Sequence, residues 1–343
     1  MMQESPVARF LLVSAAFVVV IAGMRAAEAI MVPFLLSLFI AIICSPPLVW
    51  MKSRGLPGGL SLSIIVMVVV LAGFLIGAVV GSSVNDFRGD LPEYEARLHT
   101  LMTHLQTLLA SKGVDVSTDS MRENFNPAIV LKFAGNTLAS FGNVMTNAFL
   151  ILLLVIFILA EEVRFSDKIQ YATAESARTV TALGRFTKSV NQYMALKTGV
   201  SLFTALLAMS WLWWLDVDYP VLWGLLAFLL NFIPTLGSIL AAVPPVILAL
   251  IQLGVGEAAL TALGYAMINV VVGNVIEPRV MGKGLDLSAL VVFLSLVFWG
   301  WVLGPVGMLL SVPLTMTVKI ALDNFDDTRW MAVLLGSGKG IKG

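Results

Sequence analysis

The chain has 343 residues, 59% of them hydrophobic and 12% charged, and its mean hydropathy of +0.94 is too high for a soluble globular domain, whose apolar share is nearer one half. Lys plus Arg and Asp plus Glu both number 21, so net charge implies neither a nucleic-acid-binding surface nor an acidic tail. The composition is that of an integral membrane protein, and the informative quantity is where the charges fall.

Crossing a ~30 Å hydrocarbon core takes about 20 apolar residues as helix. In chain order, spans are predicted over 8–24, 30–48, 60–84, 142–160, 197–215 and 257–276, and two further apolar regions, 219–253 and 286–322, are interrupted by Pro and Gly near their middles. Arg9 and the small-x-small "AEA" at Ala27 to Ala29 imitate a signal peptide, but the apolar sequence resumes at Ile30 and favours an uncleaved first helix. The single cysteine, Cys44, has no partner in the chain and reads as a small hydrophobe. Gly73, Gly77 and Gly81 have the small-xxx-small spacing of helix–helix packing.

The polar insert after the third span carries Leu91, Tyr94, Leu98, Leu101, Leu105 and Leu108 at alternating spacings of three and four. They predict an amphipathic helix that pairs either between subunits or against its own protomer. His99 and His104 lie about 140° apart on it, which is no metal pair. Val180, Leu183, Phe186, Val190 and Tyr193, with Arg178, Arg185, Lys188 and Lys197 nearby, predict a second amphipathic helix. It lies either at the inner membrane surface, facing lipid head groups, or as a connector covering the bundle. Trp211, Trp213 and Trp214 beside Asp216 and Asp218 read as an interfacial belt.

Loop charges orient the spans. Lys52 and Arg54, and six basic against four acidic residues from Glu161 to Lys197, mark the cytoplasmic side; the insert from Val84 to Ser140, with seven acidic and five basic residues, belongs outside. Both termini then fall in the cytoplasm. The predicted organisation is N-terminal membrane helices (1–83), an external helical insert (84–140), a membrane helix (141–160), cytoplasmic amphipathic helices (161–196), a C-terminal transport core with broken helices (197–322) and a cytoplasmic tail (323–343). The fold class is an all-α polytopic membrane bundle.

No P-loop, H-E-x-x-H motif, cysteine pair or convergent Ser/His/Asp set is present in the sequence, so an enzyme is not expected, and no cofactor or metal is implied. A polytopic chain with broken helices and no energy-coupling domain is most simply a secondary transporter or channel.

The two broken regions resemble each other. "FLLNFIPTLG" (Phe228 to Gly237) and "FWGWVLGPVG" (Phe298 to Gly307) both open on Phe and close on Gly, and each continues to a Val-Pro pair, Val243-Pro244 and Val312-Pro313. One span separates them, so they would be entered from opposite sides as an inverted pair. Arms of about 15 residues reach only ~22 Å as helix, short of the core. A re-entrant hairpin and two kinked crossings both fit, giving six spans plus two hairpins, or ten spans. Breaks at membrane depth leave backbone groups needing protein or water partners and mark a pathway, or are kinks satisfied by neighbours. Candidate substrate or ion contacts at the breaks are Asn231, Pro234, Thr235 and Gly237 in the first and Gly304, Pro305 and Gly307 in the second.

The intervening span offers Asn269, Asn274 and Glu277, with Asn274 and Glu277 sharing a face at i, i+3. Glu277 is a candidate proton or cation site, or alternatively a boundary carboxylate paired with Arg279 or Lys283.

"IPTLGSILAAVPP", "EPRVMGKGLDLS" and "SLVFWGWVLGPVGMLLSVPL" resemble the C-terminal segments of the autoinducer-2 exporter (AI-2E) family, and the rest of the chain is similar to it in layout. The resemblance implies a multi-pass bacterial inner-membrane protein that assembles as a homo-oligomer, pentameric in this family, and exports a small polar signalling molecule. Other branches imply a Na+ or Li+/H+ antiporter, with protons or Na+ as partners. A third alternative is a non-transporting membrane scaffold. Relatives carry a proline near Ser288, and the serine here puts a helix break at that point in question.

Overall fold

In the computed structural model, residues 6–111, 147–172, 177–234, 236–281, 287–323 and 328–337 are described. Among them every regular element is helical: α1 (Pro6–Ala26), α2 (Glu28–Ser53), α3 (Gly58–Ser111), α4 (Ala148–Ala172), α5 (Ala177–Trp214), α6 (Pro220–Leu230), α7 (Leu236–Gln252), α8 (Val255–Asn269), a π-helical turn (Val270–Ile276), α9 (Glu277–Met281), α10 (Ala289–Asp323) and α11 (Arg329–Leu335). By length and composition, Glu28–Ser53, Gly58–Leu98, Val190–Trp214, Val255–Val280 and Ala289–Asp323 could cross a membrane. The last of these is not a straight helix.

Several boundaries differ from those drawn on the sequence. Only Ala27 separates α1 from α2, a joint shorter than the 2–5-residue loop of an antiparallel helix pair, so the first two predicted spans are run together through a bend. The third span and the insert helix are one helix, α3, of 54 residues, roughly 80 Å long. The second amphipathic helix likewise continues into its span as α5, 38 residues long. In each case the helix runs on through the change of polarity, α3 across Gly81, Gly89 and Pro92 and α5 across Gly199, so neither the loss of apolar sequence nor an isolated breaker ends it.

The chain forms two compact units. The first comprises Met1–Ile65, Phe149–Ala195 and Lys283–Gly343. Here α2 contains Pro33, Pro46 and Pro47, and the buried Ser37 hydroxyl lies 2.6 Å from the Pro33 carbonyl and 3.1 Å from the Ile151 carbonyl of α4. Asn191 of α5 donates to Ser45 at 3.3 Å. The residues of the second broken region form α10, interrupted at Gly304 (φ 63, ψ −153), a backbone state in effect restricted to glycine. Trp299 Nε1 donates to Thr315 Oγ1 at 3.0 Å; in a straight helix, residues sixteen apart would stand roughly 24 Å apart along the axis. At the base, the Ser288 N–H donates to the Leu335 carbonyl at 3.1 Å. The region is therefore a hairpin, with arms of Ala289 to Leu303 and Pro305 to Asp323 reaching roughly 22 and 28 Å. Ser288, where a break was in question, caps the first arm by accepting the Val291 N–H at 3.2 Å.

The second unit comprises Val66–Ala148 and Leu196–Gly282. Its core gathers Leu212, Trp223, Leu248, Ala249 and Tyr265, and Leu91, Tyr94 and Leu98 of α3 pack against the same core. That part of the amphipathic stripe therefore covers its own protomer. The side chains of Leu101, Leu105, Leu108, His99 and His104, and those of Val180, Leu183 and Phe186, lie outside the described residues. The first broken region is also a hairpin. Its arms α6 and α7 have 11 and 17 residues, roughly 16 and 25 Å, and neither spans a ~30 Å core. Its base is closed by Gln252, whose Oε1 accepts the Asp218 N–H at 3.1 Å and whose Nε2 donates to the Asp216 carbonyl at 3.2 Å.

Gly237 and Gly307, aligned by sequence, occupy the same place in their hairpins. A Cβ on Gly237 would overlap the Leu230 carbonyl oxygen, and one on Gly307 would overlap the Trp299 carbonyl oxygen and come within 2.8 Å of Leu303 Cβ. Each glycine lets the second arm start against the end of the first. Gly73 and Gly81, expected to pack a helix, meet nothing within 4 Å in this chain.

Candidate functional site

Along α5, Lys197, Ser201 and Thr204 recur at helical spacing, and all three are buried. A lysine is rarely fully buried without a partner, because an uncompensated charge in an apolar interior is costly. Lys197 Nζ lies 2.6 Å from Glu277 Oε1, with side-chain exposures of 5% and 23%. The lysine is enclosed, whereas the carboxylate keeps an open side.

The π-helical turn positions Glu277. Its backbone N–H bonds the Val272 carbonyl five residues back. The β-branched run Val270 to Val272 and Gly273 weaken α-helix here, and Pro278 offers no N–H to the Asn274 carbonyl four residues before it. The wider turn undoes the predicted common face: Glu277 turns to Lys197, while Asn274 is exposed. Asn269 is exposed too, its Oδ1 3.2 Å from where a Gly273 Cβ would stand. π-turns of this kind occur frequently at functional sites.

One helical turn beyond Lys197, Ser201 accepts a 2.9 Å hydrogen bond from Asn231 Nδ2, at the C-cap of α6. Thus α5 links the tip of the first hairpin to the ion pair. Farther along, Trp211 Nε1 donates to the Leu260 carbonyl at 3.2 Å. The pairs 197 with 277 and 211 with 260 have nearly constant sums, as antiparallel packing of α5 on α8 and the π-turn requires. Trp211 is therefore turned inward, whereas Trp213 and Trp214 are exposed as a belt would be.

Of the remaining predicted residues, Pro234 is half-buried and Gly237 buried at the first tip, and Thr235 lies outside the described residues. Gly304, Pro305 and Gly307 form the tip of the second hairpin, in the other unit. Arg279, predicted as a charge partner, is exposed; among the described residues Glu277 forms an ion pair with Lys197. Lys283 lies outside the described residues.

The sequence profile of AI-2E family transporters matches residues 14–327. The chain belongs to the AI-2E transporter family. It is 45% identical over 318 residues to the AI-2 transport protein TqsA of Escherichia coli K12, covering 93% of this chain and 92% of that protein. Two further relatives have names that assign transport provisionally: a Haemophilus influenzae protein, 41% identical over 340 residues (97% and 98% covered), and YhhT of Escherichia coli K12, 36% identical over 329 residues (96% and 94% covered).

Sequence reasoning missed the role of Lys197 and Ser201 in this AI-2E transporter. It counted Lys197 only as a basic residue of the cytoplasmic segment, beside the second amphipathic helix. The readable signal was Lys, Ser and Thr at 197, 201 and 204, one polar line on a largely apolar span. It also missed Glu28, whose Oε1 stands 3.3 Å from a Cβ position on Gly304 at the second tip, and Arg25, whose guanidinium lies 4.6 Å over the Trp301 ring.

Proposed function

We propose that this AI-2E family member is a secondary transporter exporting a small polar signalling molecule of the autoinducer-2 type across the bacterial inner membrane. The observation that carries the reading is the Lys197–Glu277 pair, set in the same unit as a re-entrant hairpin whose tip residue Asn231 bonds one turn away on α5. The pair acts as a charged latch. A buried ion pair is stable only with both partners in place, so a solute or proton that engages the open side of Glu277 changes what holds α5 to the π-turn. Asn231 and Ser201 supply the donors and acceptors that an uncharged polyhydroxy solute needs. With Glu277 matched by Lys197 the site is locally neutral, which favours such a solute over a metal cation and leaves Na+(Li+)/H+ antiport as the alternative.

The export direction, the cytoplasmic termini, the inner-membrane location and the pentameric homo-oligomer are part of this reading and rest on loop charge and family resemblance. The test is purified protein in liposomes. Efflux of an autoinducer-2-type furanone without sodium-dependent proton movement is the expected result; sodium-dependent proton movement alone would make the protein an antiporter, and neither activity would leave a scaffold.

A further inference from the structure

Aromatic side chains packed in the second unit carry polar atoms that need partners, because a hydroxyl or indole N–H taken out of water without a hydrogen bond is destabilising. Four of them have one. Tyr94 Oη donates to Asp218 Oδ2 at 2.7 Å, and Tyr219 Oη donates to the Asp90 carboxylate. Trp223 Nε1 donates to the Asp218 carbonyl at 2.9 Å and Trp211 Nε1 to that of Leu260 at 3.2 Å. Tyr265 differs from all four. It is 7% exposed and belongs to the same buried cluster, yet its Oη has no hydrogen-bond partner among the described residues.

A buried threonine can satisfy itself by turning to the carbonyl four residues back. Thr204 does so at Val200 (2.9 Å) and Thr261 at Glu257 (2.7 Å), and the same turn is open to Thr198, whose Oγ1 is also unpartnered. A phenol lacks that option, because a rigid ring holds its oxygen away from its own backbone. The partner of Tyr265 has to come from elsewhere.

The position of Tyr265 points to what that partner is. On α5, Lys197, Ser201, Thr204 and Ala208 follow at i, i+4, i+7 and i+11 on one face, and Ala208 lies in the cluster that contains Tyr265. The 197–277 and 211–260 contacts set the antiparallel register of α5 against α8, which puts Tyr265 opposite the turn of Ala208. At the neighbouring Gly264 the two helices are so close that a Cβ would overlap the Trp211 indole, so the backbone carrying the tyrosine is held. The polar line that begins at the ion pair and passes the Asn231–Ser201 bond thus ends at an unpaired phenol.

We propose that Tyr265 is a solute-contact residue, its hydroxyl exchanging a hydrogen bond with a hydroxyl of a small uncharged polar solute beyond the Asn231–Ser201 contact. A phenol both donates and accepts, which suits such a solute. The inference rests on reading this unit as the transport site. Tyr265 is enclosed in this conformation, so the contact forms when the core around it opens to solute. It also supplies specificity, since a site built to bond a hydroxyl discriminates strongly against an analogue that lacks one.

Tyr265→Phe removes the hydroxyl and keeps the ring. With the hydroxyl unpaired until solute arrives, the unfolding midpoint of the solute-free variant should lie at or above that of wild type. KM for furanone efflux from proteoliposomes should rise about fivefold, as the loss of one uncharged hydrogen bond gives. Unchanged efflux kinetics would overturn the proposal, because the hydroxyl would then never meet solute. A lower midpoint would overturn it too, since a trapped water would then satisfy the hydroxyl within the fold.

Cysteine labelling needs no solute and separates this inference from the transport reading. Cys44 is the only cysteine, so Cys44→Ser gives a clean background in the full-length protein. There, Tyr265→Cys should react with a small polar methanethiosulfonate reagent at least tenfold faster than Leu248→Cys, taken from the same buried cluster. Faster labelling at 265 in a protein without furanone efflux would sink furanone transport while keeping Tyr265 on a polar path. Equal labelling of the two cysteines would overturn the role of Tyr265 even in a protein that exports furanone.

Discussion

Lys197 Nζ and Glu277 Oε1 meet at 2.6 Å across eighty residues of sequence. They lie in a unit where α5 packs antiparallel to α8 and its π-turn, and one helical turn along α5 separates the pair from the residue that holds the tip of the first hairpin. Removing one partner strands the other. For Lys197, which is almost fully enclosed, Glu277→Gln should cost about 3 kcal/mol, the low end for a broken buried pair because the carboxylate is partly open. Lys197→Met with Glu277→Leu replaces both charges by apolar groups and should recover most of that loss. Thermal unfolding in detergent of the two single variants and the double variant checks this, and additive losses in the double variant would show that the pair is not coupled.

Gly237 and Gly307 make the second prediction. Alanine at either must push an arm away from a backbone carbonyl, and an overpacking of this kind typically costs about 1–3 kcal/mol. Gly199→Ala on α5, where a Cβ meets nothing within 4 Å, should instead be neutral or stabilise by about 0.5–1 kcal/mol through helix propensity. Unfolding midpoints of the three alanine variants test the contrast.

Trp299 and Thr315 test the second hairpin. Thr315→Val keeps the shape and removes the acceptor, leaving a buried indole N–H unpaired, which should cost about 1–3 kcal/mol. Thr315→Ser should retain the bond and most of the stability. Were α10 a straight helix, the valine would have no such effect, and unfolding measurements distinguish the two cases.

Much of this architecture was legible in the sequence, and the misreadings share a cause. Apolar runs located the candidate membrane segments, and the shared order of breaker, glycine and Val-Pro paired the two broken regions while leaving hairpin and double crossing open. Loop charge marks where water begins. It does not mark where a helix ends, so α3 and α5 run on through boundaries drawn at Val84 and Lys197. The expected Asn274–Glu277 face assumed α-helical winding, and a single π-turn redirects it. Lys197 was hidden because its partner is distant in sequence, and no local spacing pairs positions 197 and 277. The choice between hairpin and crossing needed contacts such as Asp218 with Gln252 and Ser288 with Leu335, which only the folded chain supplies.

The most direct test of the central claim is furanone efflux from proteoliposomes, comparing wild type with Glu277→Gln and with the stability-recovered pair Lys197→Met, Glu277→Leu. The latch predicts at least a tenfold loss of efflux in both, including the double variant that recovers most of the stability. Wild-type efflux in Glu277→Gln at every pH measured would contradict it.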